Sequence, residues 1–131
     1  MKRRAFSGAW LLAAAAAGAQ PACPPAPTGA VQLSGDGLLA SWRADPAPIA
    51  VGRPFALLVS LCPAQARLLR VDATMPDHRH GMNYRPSVQD LGDGRWRVEG
   101  LLWHMSGRWE LRLDLSLRDQ TQVLRHDVTL P

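Results

Sequence analysis

The sequence lacks the short motifs that mark the common enzyme classes. It contains no serine nucleophile elbow, no glycine-rich phosphate loop and no HExxH pair of histidines. Asp77 stands beside His78, but neither a serine motif nor a reactive-cysteine motif accompanies them. We therefore expect a binding protein and not an enzyme.

Long hydrophobic runs are also missing. The apolar stretch at residues 10–17 is too short to cross a bilayer, because a spanning helix needs about 20 apolar residues. Basic residues at 2–4 precede it and small residues at 17–19 follow it, which is the layout of a secretory signal peptide. We predict that residues 1–19 are a signal removed on export to the bacterial periplasm. A membrane anchor and a lipid anchor are weaker alternatives, the second because the residues before Cys23 are a poor lipobox.

Neither sign of charge predominates once the signal is removed. The whole chain has 15 Lys and Arg against 11 Asp and Glu. Residues 2–4 carry three of the basic groups and no acid, so the remaining chain has 12 against 11, a net charge of +1. Its arginines alternate with acidic and apolar residues instead of forming a patch, which argues against nucleic acid as a partner.

Cysteine is scarce, since Cys23 and Cys62 are the only two in the chain. Two cysteines in an oxidising compartment most often pair. This disulfide closes a loop of about 40 residues and stabilises the fold by about 4 kcal/mol in the chain-entropy model. A pair of thiol metal ligands is the weaker alternative, because the spacing is not of the CxxC type.

Helical periodicity is absent after the proline-rich lead-in at residues 20–30, and strand patterns follow one another. Arg108–Arg118 alternates apolar and polar residues over eleven positions, which a helix cannot produce. In Arg95–Trp103 the residues expected to face inward are Trp96, Val98 and Leu102. Seven segments are candidate strands: Leu38–Arg43, Phe55–Leu61, Arg67–Met75, Ser87–Leu91, Arg95–Trp103, Arg108–Arg118 and Gln122–Leu130.

Turn signals separate these segments at intervals of about ten residues. Gly92–Gly94 is a strong turn signal, and Asp119–Gln120 is expected to connect the last two strands as a hairpin. The pattern predicts one all-β domain at residues 31–131, an antiparallel β-sandwich of about seven strands.

Histidine and methionine are concentrated in two short segments, Met75–Met82 and Trp103–Met105. Imidazole suits copper, zinc and nickel, whereas thioether suits Cu(I). Histidines two residues apart face the same side of an extended chain, Gly81 relaxes the backbone there, and a sandwich gathers its loops at its ends. We predict one bound copper ion, Cu(I) in preference to Cu(II), with these ligands: His78, His80, Met82 and His104, with Met75 or Met105 in reserve.

Each of these residues also has a purely structural interpretation. A His-x-His pair in a loop is often only solvated, and methionine is usually core filler. Trp103 either packs in the core or shields a bound Cu(I) through a cation–π contact, and His126 on the apolar side of the last strand is structural. Two other functions remain open: a histidine-only zinc or nickel site, and a non-metal protein-interaction module with these contacts: Arg79, Tyr84 and Arg85.

The second half of the sequence resembles the YtkA-like group. The motifs lie in Asp72–Pro86, Leu91–Arg95 and Gly100–Leu111, and include the Met-Pro segment, the glycine-rich turn and the His-Met-Ser-Gly-x-Trp strand. The resemblance covers roughly Asp72–Leu117. It implies an exported or membrane-tethered immunoglobulin-like β-sandwich with a role in copper handling or respiratory-oxidase assembly.

FixH-like proteins share this general layout, with a transmembrane helix that is absent after the signal here. That departure favours a periplasmic metal carrier or chaperone over a member of a membrane complex, with a periplasmic or respiratory-complex protein as its partner. The positions that match the motifs of the resemblance are the following: Met75, His78, His80, Met82, His104 and Met105.

Overall fold

The structure is a computed structural model that describes residues 14–15 and 23–131. The predicted signal at residues 1–19 and its cleavage site therefore lie outside the described residues, except for Ala14 and Ala15, which belong to no helix or strand. Within the described ranges, no helix has both the length and the apolar character needed to cross a membrane.

Residues 23–131 form nine β-strands and one short 3-10 turn. The turn, Pro76–His78, lies between the fourth and fifth strands. The strands, numbered in chain order, are β1 (Val31–Ser34), β2 (Leu39–Asp45), β3 (Phe55–Cys62), β4 (Arg67–Met75), β5 (His80–Gly81), β6 (Ser87–Gly92), β7 (Arg95–Leu101), β8 (Gly107–Leu117) and β9 (Gln120–Leu130).

The strands pair into two antiparallel sheets with the orders β1-β2-β3-β7-β6 and β5-β4-β8-β9. An immunoglobulin domain places strands A, B, E and D in one sheet and C, F and G in the other. Here β2, β3, β7 and β6 take the first set of positions, β4, β8 and β9 take the second, and β1 and β5 extend the edges. The predicted all-β antiparallel sandwich is confirmed, with nine strands instead of about seven because the two short edge strands carry too few residues to show alternation.

The core lies between the two sheets and is built by the alternation that the sequence displays. On β8 the inward residues Trp109, Leu111, Leu113 and Leu115 are all fully buried. Burying a side chain of this kind contributes about 1.5–3 kcal/mol relative to leaving it exposed. The outward residues between them are polar, so β8 cannot shift by one position without exposing this row.

A bulge changes the inward set on β7. The pairing of β7 with β3 shifts register between Phe55 and Leu57, opposite the point where Gly100 has φ 87°. Trp96 and Val98 face inward as predicted, but the next buried residue is Leu101 and the expected Leu102 is half-buried. The prediction for Leu102 is wrong because the extra residue reverses the alternation after Val98.

The two predicted turns have different outcomes. The turn after β6 is confirmed at Asp93–Gly94. The connection between β8 and β9 is formed by Arg118 and Asp119, both with positive φ (49° and 62°), and β9 already begins at Gln120. The predicted Asp119–Gln120 connection is therefore wrong by one residue.

The predicted Cys23–Cys62 disulfide is confirmed, with a Cα–Cα distance of 4.9 Å. It ties the lead-in to the end of β3, just before β4 starts at Arg67. The other end of β4, at Met75, lies about 26 Å away for nine residues rising about 3.3 Å each. The disulfide and the His/Met segments therefore occupy opposite ends of the sandwich.

Candidate metal centre

The first His/Met segment folds as a turn between β4 and β5. Pro76 begins the 3-10 turn, and Arg79 ends it in a left-handed conformation (φ 53°, ψ 39°). The turn reverses the chain, so that His80 of β5 pairs with Met75 of β4. The expected extended conformation at His78 is wrong, and the residue that makes the bend is Arg79 rather than Gly81.

This turn brings three imidazoles together. The ring centroids of His78 and His80 are 5.8 Å apart and those of His80 and His104 are 5.3 Å apart. The rings of the first pair are stacked, with 26° between their planes, and those of the second pair are tilted at 31°. His80 is half-buried, whereas His78 and His104 are exposed. The two His/Met segments thus meet at one end of the sandwich, with His80 at the centre.

A buried tryptophan pair supports the imidazole cluster. The Trp109 ring lies edge-to-face with His80 (centroids 6.1 Å, 72°) and with His104 (5.7 Å, 78°). Behind it Trp103 stacks in parallel at 5.3 Å and 5°, and Phe55 packs against Trp103 at 5.2 Å. Trp103 is therefore a core residue, and the indole that contacts the histidines is Trp109.

The loop before β8 is fixed by its own hydrogen bond. Trp109 Nε1 donates to the Met105 carbonyl oxygen at 3.0 Å. This bond closes the segment that carries His104 onto the indole beneath it. Met105, which follows His104 in the chain, is 36% exposed.

The other two methionines occupy different positions. Met75 is fully buried and lies directly across from His80, on the same face of the sheet, because antiparallel partners share a face. Its Cε lies only 3.0 Å from where a Cβ would stand on Gly107, so this glycine makes room for the thioether end. Met82 follows His80 by two residues, about 7 Å along the strand direction, and lines a polar pocket with Asn83 and Tyr84.

An ion-pair chain borders the cluster on its outer side. Arg108 donates to both carboxylate oxygens of Asp77, at 3.1 and 3.3 Å, and to Asp127 of β9 at 3.1 Å. The hydrogen bond and positive charge of Arg108 lower the pKa of Asp77 from its ordinary value. The same carboxylates raise the pKa of Arg108. Asp77 is thus a carboxylate that forms an ion pair with Arg108.

The fourth histidine stands apart from this cluster. His126 of β9 pairs with Leu111 and contacts Trp42 of the opposite sheet, with ring centroids 5.7 Å apart at 65°. It therefore packs between the sheets, as a structural histidine does.

The donor set suits a late transition metal, but the rings are not arranged as a closed coordination sphere. Across residues 14–15 and 23–131, no group of three or more His, Cys, Asp or Glu side chains is placed to hold a metal ion. Imidazole nitrogens bind a metal such as zinc at about 2.0–2.1 Å, whereas the rings here lie against one another. Binding requires rotation of the imidazoles about their side-chain torsions, which the exposure of His78 and His104 permits.

The sequence matches no protein-family model, and neither a curated protein nor a solved structure matches it. The resemblance to the YtkA-like group stays a prediction that rests on the motifs of residues 72–117.

Sequence reasoning missed two contributors to the site. The alternation of Arg108–Arg118 indicates only an inward, core position for Trp109, although that position at the start of β8 places the indole under the loop of His104. The same alternation indicates only an outward polar position for Arg108, and nothing in the sequence pairs it with Asp77. A signal was present for both, because the two residues stand at the end of the sandwich where the two His/Met segments were expected to converge.

Proposed function

We propose that this protein binds one copper ion in the periplasm and passes it to another protein. The observation that carries the proposal is the convergence of three imidazoles from two separate segments, with centroids 5.8 and 5.3 Å apart. Copper is favoured over zinc and nickel because Met75 is the cross-strand partner of His80, and thioether suits Cu(I). The ligands are His78, His80 and His104 with one thioether.

The mechanism is binding followed by stepwise ligand exchange. His78 and His104 are exposed and lie on loop segments, so either imidazole can leave the ion while an acceptor ligand takes its place. His80 is half-buried against Trp109 and keeps the ion bound to this protein until the acceptor protein has taken it. Export is supported by the formed disulfide, which belongs to an oxidising compartment.

The experiment is a copper titration of the full chain, recovered from the periplasm of an expression host, against a variant with His78→Ala and His80→Ala. We expect one equivalent of copper on the wild type and none on the double variant, because two of three imidazoles are gone. His126→Ala is the matched control, since it also removes an imidazole but lies outside the cluster.

Circular dichroism checks that each variant keeps its strand signal. Unchanged copper stoichiometry in the folded double variant would contradict the site. If the protein binds zinc as well as copper, and replacing the methionines leaves the metal affinity unchanged, the histidine-only zinc or nickel alternative is favoured instead. Binding of a protein partner that persists after chelation would favour the non-metal interaction module.

A further inference from the structure

The 3-10 turn that carries His78 contains no buried residue. Pro76, Asp77 and His78 are all exposed, and none is buried against the sheets. A turn with so little apolar contact is expected to open easily on its own. The contacts that hold it down therefore decide where the His78 imidazole stands.

The strongest polar contact of the turn is the fork of Arg108. Nη2 and Nε of Arg108 meet the two oxygens of Asp77 at 3.1 and 3.3 Å, a two-point arrangement that fixes direction as well as distance. Nη1 of the same guanidinium binds Asp127 at 3.1 Å. The turn is thus linked through one side chain to both β8 and β9.

Arg108 and Trp109 are neighbours on β8, so this one strand contacts both the 3-10 turn and the imidazole cluster. Arg108 faces outward and holds the turn, while its neighbour Trp109 faces inward and contacts His80 and His104. The next residue of the turn after Asp77 is His78, so the fork acts one residue from an imidazole of the cluster.

We propose that Arg108 is a positioning residue that holds His78 in the imidazole cluster through its fork on Asp77. This inference rests on the proposed copper function for its consequence, although the positioning itself is a property of the metal-free protein. Lysine cannot replace it fully, because a single ammonium cannot bind two carboxylates in this planar geometry.

The first test uses the metal-free protein and the ring protons of His78 in an NMR spectrum. In the wild type, His78 is stacked on His80, so its ring protons should carry a ring-current shift. Arg108→Gln is expected to move them to the values of a free histidine. Arg112→Gln is the matched control, because Arg112 binds Asp114 on the same strand and the same face but away from the turn.

The second test measures copper affinity. Arg108→Gln should weaken binding about two- to fivefold, the range of an exposed ion pair, and the loss should disappear in a His78→Ala background. The difference in copper affinity between Arg108→Gln and the wild type should also become smaller when the ionic strength rises from about 0.01 M to about 1 M, because the Debye length falls from about 30 Å to about 3 Å. Arg112→Gln should leave the affinity unchanged.

The outcomes separate the two proposals. If Arg108→Gln leaves the His78 resonances in place, the positioning role is overturned whatever the protein binds. If those resonances move but the wild type binds no copper, the positioning role stands and the copper function fails. Asp77→Asn removes the carboxylate while keeping the link of Arg108 to Asp127, so it repeats the test should Arg108→Gln fail to fold.

Discussion

The three methionines differ in what surrounds their sulfur atoms. Met75 is buried across from His80, Met105 is exposed beside His104, and Met82 is half-buried at a neighbouring polar pocket. A thioether held in the sheet beside a half-buried imidazole loses little freedom when it binds a metal, because its conformation is already fixed by packing. We therefore propose Met75 as the thioether ligand of copper.

Met75→Leu tests this assignment with almost no change in side-chain volume. We expect Cu(I) affinity to fall at least about tenfold, the scale on which even outer-shell changes weaken metal sites. Stability should fall by less than about 1.5 kcal/mol, since leucine and methionine exchange well in cores. Competition with a Cu(I) chelator gives the affinity.

Met82→Leu is the control for this prediction, because it removes a thioether from the same segment at a position that is not the cross-strand partner of His80. A larger loss of Cu(I) affinity with Met82→Leu than with Met75→Leu would contradict the assignment of Met75. It would favour Met82 as the thioether ligand, as expected from the sequence. No loss with either variant would mean that the site uses histidines alone.

How far the site could be predicted depends on the residue. The choice of His78, His80 and His104 follows from residue chemistry and the clustering of His and Met, and the structure brings all three together. The roles of Arg108 and Trp109 could not be predicted in the same way, because both depend on which residues meet across different strands.

At the scale of the elements, β8 organises the candidate metal centre. Its first three residues each contribute something different: Gly107 makes room for Met75, Arg108 holds the 3-10 turn, and Trp109 lies beneath the imidazoles. The remainder of β8 is the clearest alternating strand of the sequence, buried along one face. One strand thus carries the groups that contact both His/Met segments.

Gly107→Ala should show how tightly β8 and Met75 are packed. The residue has φ 117° and its new Cβ would stand 3.0 Å from Met75 Cε. We expect a loss of about 1–3 kcal/mol in the free energy of unfolding, measured by urea denaturation, since strained backbone positions cost about that much.

Gly52→Ala provides the comparison, because Gly52 also has a positive φ (74°) but nothing lies within 4 Å of its new Cβ. Its loss should be confined to the backbone cost of a left-handed alanine, about 1–2 kcal/mol. A Gly107→Ala variant as stable as the wild type would contradict the close packing of Met75 against β8.

The elements themselves were predictable where alternation ran long enough. β4 was predicted with both of its bounds, and β8 and β9 to within one or two residues, because each carries many alternating positions. β1 and β5 could not be predicted because they have only four and two residues. The bulge at Gly100 could not be predicted because it depends on the pairing of β7 with β3.

In the molecule as a whole, the disulfide that stabilises the fold and the proposed metal site lie at opposite ends of the sandwich. The disulfide closes a span of 39 residues at one end of β4, and the imidazoles cluster at the other. Between them lies a continuous core of both sheets. The disulfide and the proposed metal ligands therefore lie far apart, and we expect that a change at one leaves the other undisturbed.

Replacing Cys23 and Cys62 with serine tests that separation. The free energy of unfolding should fall by up to about 4 kcal/mol, as the chain-entropy model gives for a loop of this length. Copper affinity should stay within about twofold at a temperature where the variant is folded, because about 26 Å separates the two ends of β4. A loss of copper binding by the folded variant would show that the two ends are coupled.

Copper binding is tested most simply by a titration of the full chain with Cu(I) under a competing chelator, with Zn(II) in parallel. We expect one equivalent of tightly bound Cu(I) and weak zinc binding, because three imidazoles cluster at one end of the sandwich and Met75 is the cross-strand partner of His80 there. Binding of neither metal would contradict it, and the imidazole cluster would then be a surface for a protein partner.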